Sequence, residues 1–238
     1  PYLKVAHCDD VPCTSATVSL LTGGDAYTSV AIGPDGLGVV GFVDGNDFKV
    51  ARCADTSCTS ATVTTVTGID CESGTLAIGS DGLPLIAYYD YSSHDLKVAH
   101  CTNAACSAAL VTTLATTGDV GQYPALAVGA YGYGEISYYD GNGNDFMMVH
   151  CRDVACTLAG LDVLDDAMNP GQHSSIAIGS DGLPIAVYSS GSGAIYVAHK
   201  ESRSSNAVTV SYFDCGSAEC GQYPSVAVGS DGLPVISY

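Results

Sequence analysis

Basic residues are scarce in this sequence of 238 residues, where seven Lys and Arg stand against twenty-five Asp and Glu and give a formal net charge of -18. A surface this acidic repels phosphate backbones and anionic lipid headgroups, so nucleic acids and membrane surfaces are excluded as partners. Charged residues make up only 13% of the chain and hydrophobic residues 47%. This balance excludes intrinsic disorder and charged coiled coils.

Long apolar runs and helical periodicity are also missing. No window approaches the length of apolar sequence that a transmembrane helix needs, so no membrane insertion is expected. Pro1 opens directly into a strand-like segment without a signal peptide, which predicts a mature product or an excised piece. The large negative charge disfavours self-association and favours a monomer.

A short motif ending in Cys or Lys recurs five times, at intervals of 45, 48, 50 and 49 residues. Its copies are LKVAHC at 3–8, FKVARC at 48–53, LKVAHC at 96–101, FMMVHC at 146–151 and IYVAHK at 195–200. A second motif follows each copy: VAIGPDGLGVVGF from Val30, LAIGSDGLPLIAY from Leu76, LAVGAYGYGEISY from Leu126, IAIGSDGLPIAVY from Ile176 and VAVGSDGLPVISY from Val226. The whole chain is therefore built from one repeated unit.

Each unit contains four short runs rich in Val, Ile, Thr and Tyr, bounded by Gly, Asp, Pro or Ser. We predict an inner strand A, then strands B, C and D, which in one unit are 175–179, 183–188, 195–199 and 208–212. The Asp-Gly pair between A and B supplies the positive φ of a tight hairpin. Five such units predict an all-β fold, a five-bladed β-propeller with four antiparallel strands per blade, as a single domain over 1–238.

The phase of the repeats predicts how the ring closes. The chain begins with strands C and D and ends with strands A and B, so residues 2–20 would join residues 225–238 in a two-plus-two blade. Such closure removes the open edges of the sheet. The alternative is that the chain is a five-repeat slice of a longer array.

The string Gly-Ser-Asp-Gly-Leu-Pro at 79–84, 179–184 and 229–234, followed by the LKVAHC motif, resembles the repeat of secreted bacterial β-propellers of uncharacterised function. Degenerate copies at 33–38 and 129–134 extend the resemblance over all five units. The blade count is also similar to that of tachylectin-type five-bladed lectins, but the chain has no Trp and lacks their Trp-rich motif. That second likeness is architectural, and a fold alone does not identify a ligand.

Ten of the eleven cysteines occur in pairs separated by four residues. The pairs are Cys8 with Cys13, Cys53 with Cys58, Cys101 with Cys106, Cys151 with Cys156, and Cys215 with Cys220. A hairpin brings such positions within disulfide reach, so we expect five local disulfides and a secreted or cell-surface protein. Cys71 is left over as a buried or free thiol, and the carboxylates of Asp70 and Glu72 beside it would raise its pKa.

The connections from each strand D to the next strand A should surround the central channel, the usual ligand face of a propeller. They are rich in Tyr, His and Gln, which offer apolar ring faces beside hydrogen-bonding groups and can hold a polyhydroxylated ligand. The candidate ligand-binding residues are Tyr27, Gln122, Tyr123, Gln172, His173, Gln222 and Tyr223. The alternative is that Gly-Gln-Tyr-Pro only turns the chain, with Tyr packed between blades and Gln bonded to the loop.

The connections from strand B to strand C contain paired Asp with Asn or Ser between them. Asp44, Asp90 and Asp140 are candidate ligands for Ca²⁺, which takes 6 to 8 oxygen ligands in proteins. The distal Glu of an EF-hand loop is missing, and Asp and Asn are also ordinary turn formers. These loops are therefore interpreted either as calcium sites or as ordinary turns.

One basic side chain ends strand C in each unit. These residues are His7, Arg52, His100, His150 and His199. Because they recur once per blade, they cannot converge on one metal ion, and a role in blade packing or on a solvent-facing edge is favoured.

Three classes of function fit this pattern. Lectin-like recognition of a carbohydrate or another polar ligand is favoured, because near-equivalent loops suit repeated binding sites. The alternative is a structural or protein-interaction propeller of a larger secreted or cell-surface protein, with a protein ligand as its partner. A glycoside hydrolase or lyase needs unlike carboxylates, for which Glu72, Asp90 and Asp140 are the candidates, but near-equivalence argues against an enzyme and no catalytic residue is assigned.

Overall fold

The structure is a computed structural model of the chain, and it describes residues 2–24, 26–66, 68–166, 170–190, 193–202, 207–214 and 223–238. These residues form twenty β-strands and contain no helix. No helix in this part of the chain is therefore long and apolar enough to cross a membrane.

The strands form four sheets of four and two sheets of two, all antiparallel between neighbours. Blade I contains β3 (Ala26–Ile32), β4 (Gly38–Asp44), β5 (Asp47–Cys53) and β6 (Ala61–Thr65). Blade II contains β7 (Cys71–Ile78), β8 (Pro84–Asp90), β9 (Asp95–Cys101) and β10 (Ala109–Ala115). Blade III contains β11 (Val120–Val128), β12 (Gly134–Asp140), β13 (Asp145–Cys151) and β14 (Ala159–Asp165), and blade IV contains β15 (Pro170–Ile178), β16 (Pro184–Ser190), β17 (Ala194–Lys200) and β18 (Val208–Asp214). The terminal pairs are β1 (Tyr2–Cys8) with β2 (Ala16–Gly23), and β19 (Ser225–Val228) with β20 (Pro234–Ser237).

The four strands predicted for one unit lie in blade IV, but the inner strand is longer than expected. Strand β15 begins at Pro170, which pairs with Ser190, and its regular pairing resumes where Ser174 meets Tyr188. A bulge separates the two stretches and adds residues that have no partner across the ladder. The hydrophobic alternation that marks a strand is interrupted there, which is why sequence pattern placed the start of the strand too late.

Large side chains from the middle of each sheet form the core, which lies between successive blades. One buried cluster joins Phe48 of blade I to Tyr88 of blade II, and the next joins Leu96 of blade II to Tyr138 of blade III. The ring of Phe146 in blade III stacks on Tyr188 of blade IV with centroids 4.0 Å apart. The sheets therefore pack face to face in chain order, as blades do.

The turns between the first and second strands of successive blades pack against one another in the same sequential order. A Cβ on Gly82 would lie 3.0 Å from Pro34, the turn residue of the preceding blade, and Gly182 stands in the same relation to Ala130. The φ of Gly82 is +80°, so the turn also needs glycine for its backbone conformation. Gly36, at the equivalent position in blade I, has no such neighbour within 4 Å among the described residues.

The seam between the terminal pairs differs from the contacts between the four complete blades. Tyr238 is 56% exposed, whereas Tyr88 at the equivalent position is fully buried at 0%. Val235 is 67% exposed against 1% for Leu85. The pairs β1–β2 and β19–β20 form separate sheets, so the expected two-plus-two closure stays a prediction.

The disulfide prediction is confirmed for four pairs. Their Cα atoms lie 4.9, 4.8, 4.9 and 4.7 Å apart in the bridges Cys8–Cys13, Cys53–Cys58, Cys101–Cys106 and Cys151–Cys156. Cys215 and Cys220 lie outside the described residues. Cys71 is a buried free thiol, and its burial, followed by the nearby carboxylates of Asp70, Asp90 and Glu72, raises its pKa.

The basic residue of strand C pairs with the Asp-Gly turn of its own blade. His100 Nε2 lies 2.8 Å from Asp81 Oδ2, and Arg52 makes the same kind of contact with Asp35. In blade III the turn has Tyr131 in place of Asp, and the carboxylate of Glu135 contacts His150 instead. A carboxylate supplied from the neighbouring strand thus replaces the lost one.

Blade IV departs from the cysteine pattern at Lys200. It occupies the position of the first Cys of the pair, and its side chain is only 1% exposed. Its ammonium group forms an ion pair with Asp162 of blade III and lies 2.9 Å from His150 Nε2. A buried interaction between blades therefore replaces a disulfide within one blade.

Replacing Lys200 by Met should lower the free energy of unfolding by about 3 kcal/mol, because it leaves the carboxylate of Asp162 without its buried cation. Urea unfolding followed by circular dichroism measures this difference. Arg152→Met, at an exposed position in blade III, is the matched control and should change stability by less than about 0.5 kcal/mol. Equal effects of the two substitutions would show that the buried ion pair does not stabilise the ring.

Candidate ligand-binding site

Five residues at equivalent positions of the repeat, one from each unit, lie close together. Each lies where the chain enters an inner strand, and together they line one cavity of about 470 Å³. We call this set the aromatic cup: Tyr27, Ser73, Tyr123, His173 and Tyr223. Its volume lies within the range of small-molecule sites.

Three tyrosines of the cup have an unusual backbone conformation. The φ angles of Tyr27, Tyr123 and Tyr223 are +50°, +50° and +56°. Bulky residues rarely adopt this region, which costs of order 1–3 kcal/mol per residue. Bulges in β3 and β11 span Tyr27 and Tyr123, and bulges re-aim side chains towards functional sites. The fold thus tolerates strain at repeated positions that direct rings into the cavity.

The rings of the cup contact one another on one side. Tyr123 meets His173 edge to face with centroids 4.6 Å apart, and His173 stacks on Tyr223 at 4.1 Å. Burial, together with the charges of neighbouring groups that include Glu72, raises the pKa of both Tyr27 and Tyr123. Their phenols therefore stay protonated at neutral pH and can donate hydrogen bonds to a ligand.

His173 is neutral at neutral pH, because burial lowers the pKa of its imidazole below the ordinary value. A neutral imidazole offers one donor and one acceptor beside its flat ring. The cup therefore presents aromatic surface and hydrogen-bonding groups without a positive charge.

Ser73 interrupts the aromatic ring, since the other four units place Tyr or His at this position. Beside it lies a second cavity of about 190 Å³, which we call the side pocket. The side pocket is lined by Glu72, Tyr89, Asp119 and Gln122, and it shares Tyr27, Ser73 and Tyr123 with the cup. The small side chain of Ser73 thus lies on the boundary between an aromatic cavity and an acidic one.

Asp119 is held in place inside the side pocket. The Tyr89 hydroxyl donates to Asp119 Oδ1 at 2.7 Å, and Gln122 Nε2 donates to Oδ2 at 2.8 Å. The phenol of Tyr89 also contacts His94 Nδ1, which must be the donor there because the phenol has only one proton. Burial and the bond to Asp119 raise the pKa of Tyr89, so this proton remains in place.

Glu72 is the extra residue of a bulge in β7. Cys71 pairs with Asp90 and Ser73 with Tyr89, which leaves Glu72 without a partner across the ladder. Its carboxylate lines the side pocket, and within the described part of the chain no donor or cation bonds to it. Glu72 is thus available to a ligand that enters the pocket.

The candidate calcium ligands lie in the loops between the second and third strands of blades I, II and III. Asp44 forms an ion pair with Lys49, and Asp90 Oδ2 lies 2.9 Å from Lys97 Nζ. Asp140 Oδ1 accepts from the amide of Asn142 at 2.8 Å, which is ordinary turn chemistry. Among the residues that the structure describes, no three His, Cys, Asp or Glu are grouped as a metal site. Calcium binding stays a prediction, and at Asp44 and Asp90 it would have to displace a lysine.

Sequence reasoning found most of the cup but missed the side pocket. The structure brings Tyr27, Tyr123, His173 and Tyr223 together in one shared cavity, and it turns Gln122 towards Asp119. The side chains of Gln172 and Gln222 lie outside the described residues. Alignment of the five connections could have singled out Ser73, whereas Asp119 occurs in one unit only and carries no repeated signal.

Solved structures share this arrangement of sheets. The hydrazine synthase of Kuenenia stuttgartiensis matches 99% of this chain and 80% of its own, with a TM-score of 0.67 and 15% identity. The Dos1 propeller matches 98% of this chain and 61% of its own, with a TM-score of 0.58 and 12% identity. The protein is a β-propeller.

A third structural neighbour is exo-β-1,3-galactanase from Phanerochaete chrysosporium, solved with β-1,3-galactotriose. It matches 81% of this chain and 50% of its own, with a TM-score of 0.54 and 11% identity. Identities this low show the fold alone. No protein family model matches the sequence, and no curated protein is similar enough to count as a relative.

The imidazole of His173 should titrate below the ordinary value of about 6.5, which NMR of the ring protons measures. The unfolded chain then takes up this proton before the folded chain does. The free energy of unfolding should therefore decrease as the pH falls below about 6.5. His173→Gln should lack this component of the decrease, and a midpoint at or above 6.5 in the folded protein would contradict burial of a neutral ring.

Proposed function

We propose that this β-propeller is a binding module that recognises a carbohydrate in the aromatic cup at the centre of its ring. The observation that carries the proposal is the convergence of four aromatic side chains from four units on one cavity. Three of these residues have a positive φ, an unfavourable backbone conformation that places their rings at the cavity. Ring faces beside phenol and imidazole groups suit the alternating apolar and hydroxyl surfaces of a sugar.

The aromatic cup is one cavity that the five units share. The near-equivalent loops predict five separate pockets, but a single cavity takes one side chain from each unit. A ligand bound there would contact several units at once, so we propose a single central site. Four disulfides are consistent with an extracellular protein. An extracellular location would bring the protein into contact with such a ligand.

Replacing both Tyr123 and Tyr223 by Ala should weaken binding of a sugar identified on a glycan array at least about tenfold, because two stacking surfaces are lost. Isothermal titration calorimetry measures the affinity of the variant and the parent. The matched control is the double variant Tyr131→Ala with Tyr212→Ala, which removes two exposed tyrosines outside the cup. Equal losses in the two double variants would reject the cup as the site.

The array is run in calcium and in EDTA. Binding abolished by EDTA would move the site to the loops of Asp44, Asp90 and Asp140, whereas binding that is indifferent to EDTA supports the cup. No binding in either buffer would favour a protein-interaction role for the propeller. Release of reducing sugar during the assay would show that the protein is an enzyme rather than a binding module.

We also propose that the ring closes as a single five-bladed domain over 1–238, with β20 pairing with β1. In blade II, Leu85 lies opposite His100, and in blade IV Ile185 lies opposite His199. The same register places Val235 opposite His7. Closure in this register would cover the exposed side chain of Tyr238 between two sheets, as Tyr88 is covered in blade II.

Tyr238→Ala distinguishes the closed ring from an open one. In a closed ring the substitution removes a buried ring and should lower the free energy of unfolding by about 3 kcal/mol. In an open ring it should cost less than about 0.5 kcal/mol, the value expected for the exposed control Tyr131→Ala. Urea unfolding of both variants measures the difference.

A further inference from the structure

The aromatic cup is asymmetric, because one of its five positions carries a small side chain next to a carboxylate. Four units place Tyr or His at the rim, while blade II places Ser73 there and Glu72 immediately before it. The cup and the side pocket share Tyr27, Ser73 and Tyr123, so they are adjoining parts of one site. A molecule seated on the rings can therefore reach the carboxylates of Glu72 and Asp119.

The two carboxylates differ in how they are bonded. Asp119 accepts hydrogen bonds from Tyr89 and Gln122, neither of which carries a positive charge at neutral pH. Glu72 has no bonded donor in the described part of the chain. The nearest basic side chain to Asp119 is that of His94, whose Nδ1 lies 3.9 Å from Asp119 Oδ1 and bonds to the Tyr89 hydroxyl. No Lys or Arg lies beside the two carboxylates in the described lining of the pocket.

Positive charge is absent from the described lining of both cavities. None of the residues that line them is Lys or Arg, and the imidazole of His173 is neutral. The lysines of the third strands of blades I and II, Lys49 and Lys97, are already paired with Asp44 and Asp90. The charge of Glu72 is thus left for a ligand to balance, while Asp119 has only the distant imidazole of His94.

We infer that the ligand is an amino sugar, with its ring on the aromatic cup and its protonated amine in the side pocket between Glu72 and Asp119. An ammonium group has three donors and no acceptor, which matches two carboxylates. The faces of Tyr27 and Tyr123 add a favourable electrostatic surface for a cation. A neutral sugar can use the rings but leaves the negative charges unbalanced, and an acidic sugar is repelled.

This inference rests on the proposed function and names the ligand class of that same site. The probes are a trisaccharide of glucosamine, its fully N-acetylated form and cellotriose, titrated calorimetrically in mildly acidic buffer where the free amine is protonated. We expect the amino trisaccharide to bind at least about tenfold more tightly than the other two, since hydrogen bonds to charged groups are the strong ones. Added salt should weaken only the binding of the amino trisaccharide.

The ratio of affinities for the amino and the neutral trisaccharide is then measured in Glu72→Gln and Asp119→Asn. Each substitution removes a charge and keeps nearly the same shape, so the preference for the amine should fall about tenfold in Glu72→Gln. Glu201→Gln, at an exposed position outside both cavities, is the matched control and should keep the preference. Circular dichroism checks that each variant is folded, and the salt dependence of the parent chain tests the inference independently of any variant.

Each other result has a separate meaning. Equal affinities for the three trisaccharides, or tighter binding of a neutral one, would overturn the amino-sugar inference and leave the carbohydrate-binding proposal standing. A preference that survives both substitutions would also overturn the assignment to the side pocket. If none of the three sugars binds and the glycan array is also negative, both proposals fail together.

Discussion

Face-to-face packing of neighbouring sheets is the interaction on which the rest of this structure depends. Each sheet has too little area to form a core alone, and it buries its large central side chains only against the next sheet. The stacked rings of Phe146 and Tyr188 are the clearest instance. Because every sheet uses the same contact, the inner strands are brought round one axis, and the residues that begin those strands meet there.

The repeated motifs account for the sheets and their packing, whereas the positions that depart from the repeat account for the features found in one blade only. Lys200 replaces a cysteine and links two blades, and Glu135 supplies a carboxylate where its turn has Tyr131. Ser73 replaces an aromatic residue and leaves space beside Glu72. The first two departures are compensated by new ion pairs, whereas the third leaves an open pocket.

The sequence allowed the sheets, the hairpin disulfides and most of the aromatic cup to be predicted, because motifs such as LKVAHC and Gly-Ser-Asp-Gly-Leu-Pro repeat with a constant phase. It did not predict the bulges that lengthen β15 or the positive φ of Tyr123, since both arise from fitting the loop to the ring. Asp119 was missed for a different reason. It occurs in one unit only, and the hydrogen bonds that Tyr89 and Gln122 donate to it form only once blade II is folded against the following loop.

The disulfides have a mechanical consequence. Each of the four described bridges joins residues five apart in a single hairpin, so none of them ties one blade to another. Under a force applied along the chain, no disulfide would therefore hold these blades together, and we expect them to unfold one after another. Within each blade, however, the bridged hairpin loop could not be drawn out. The oxidised chain would thus extend by a slightly shorter length per blade than the reduced one.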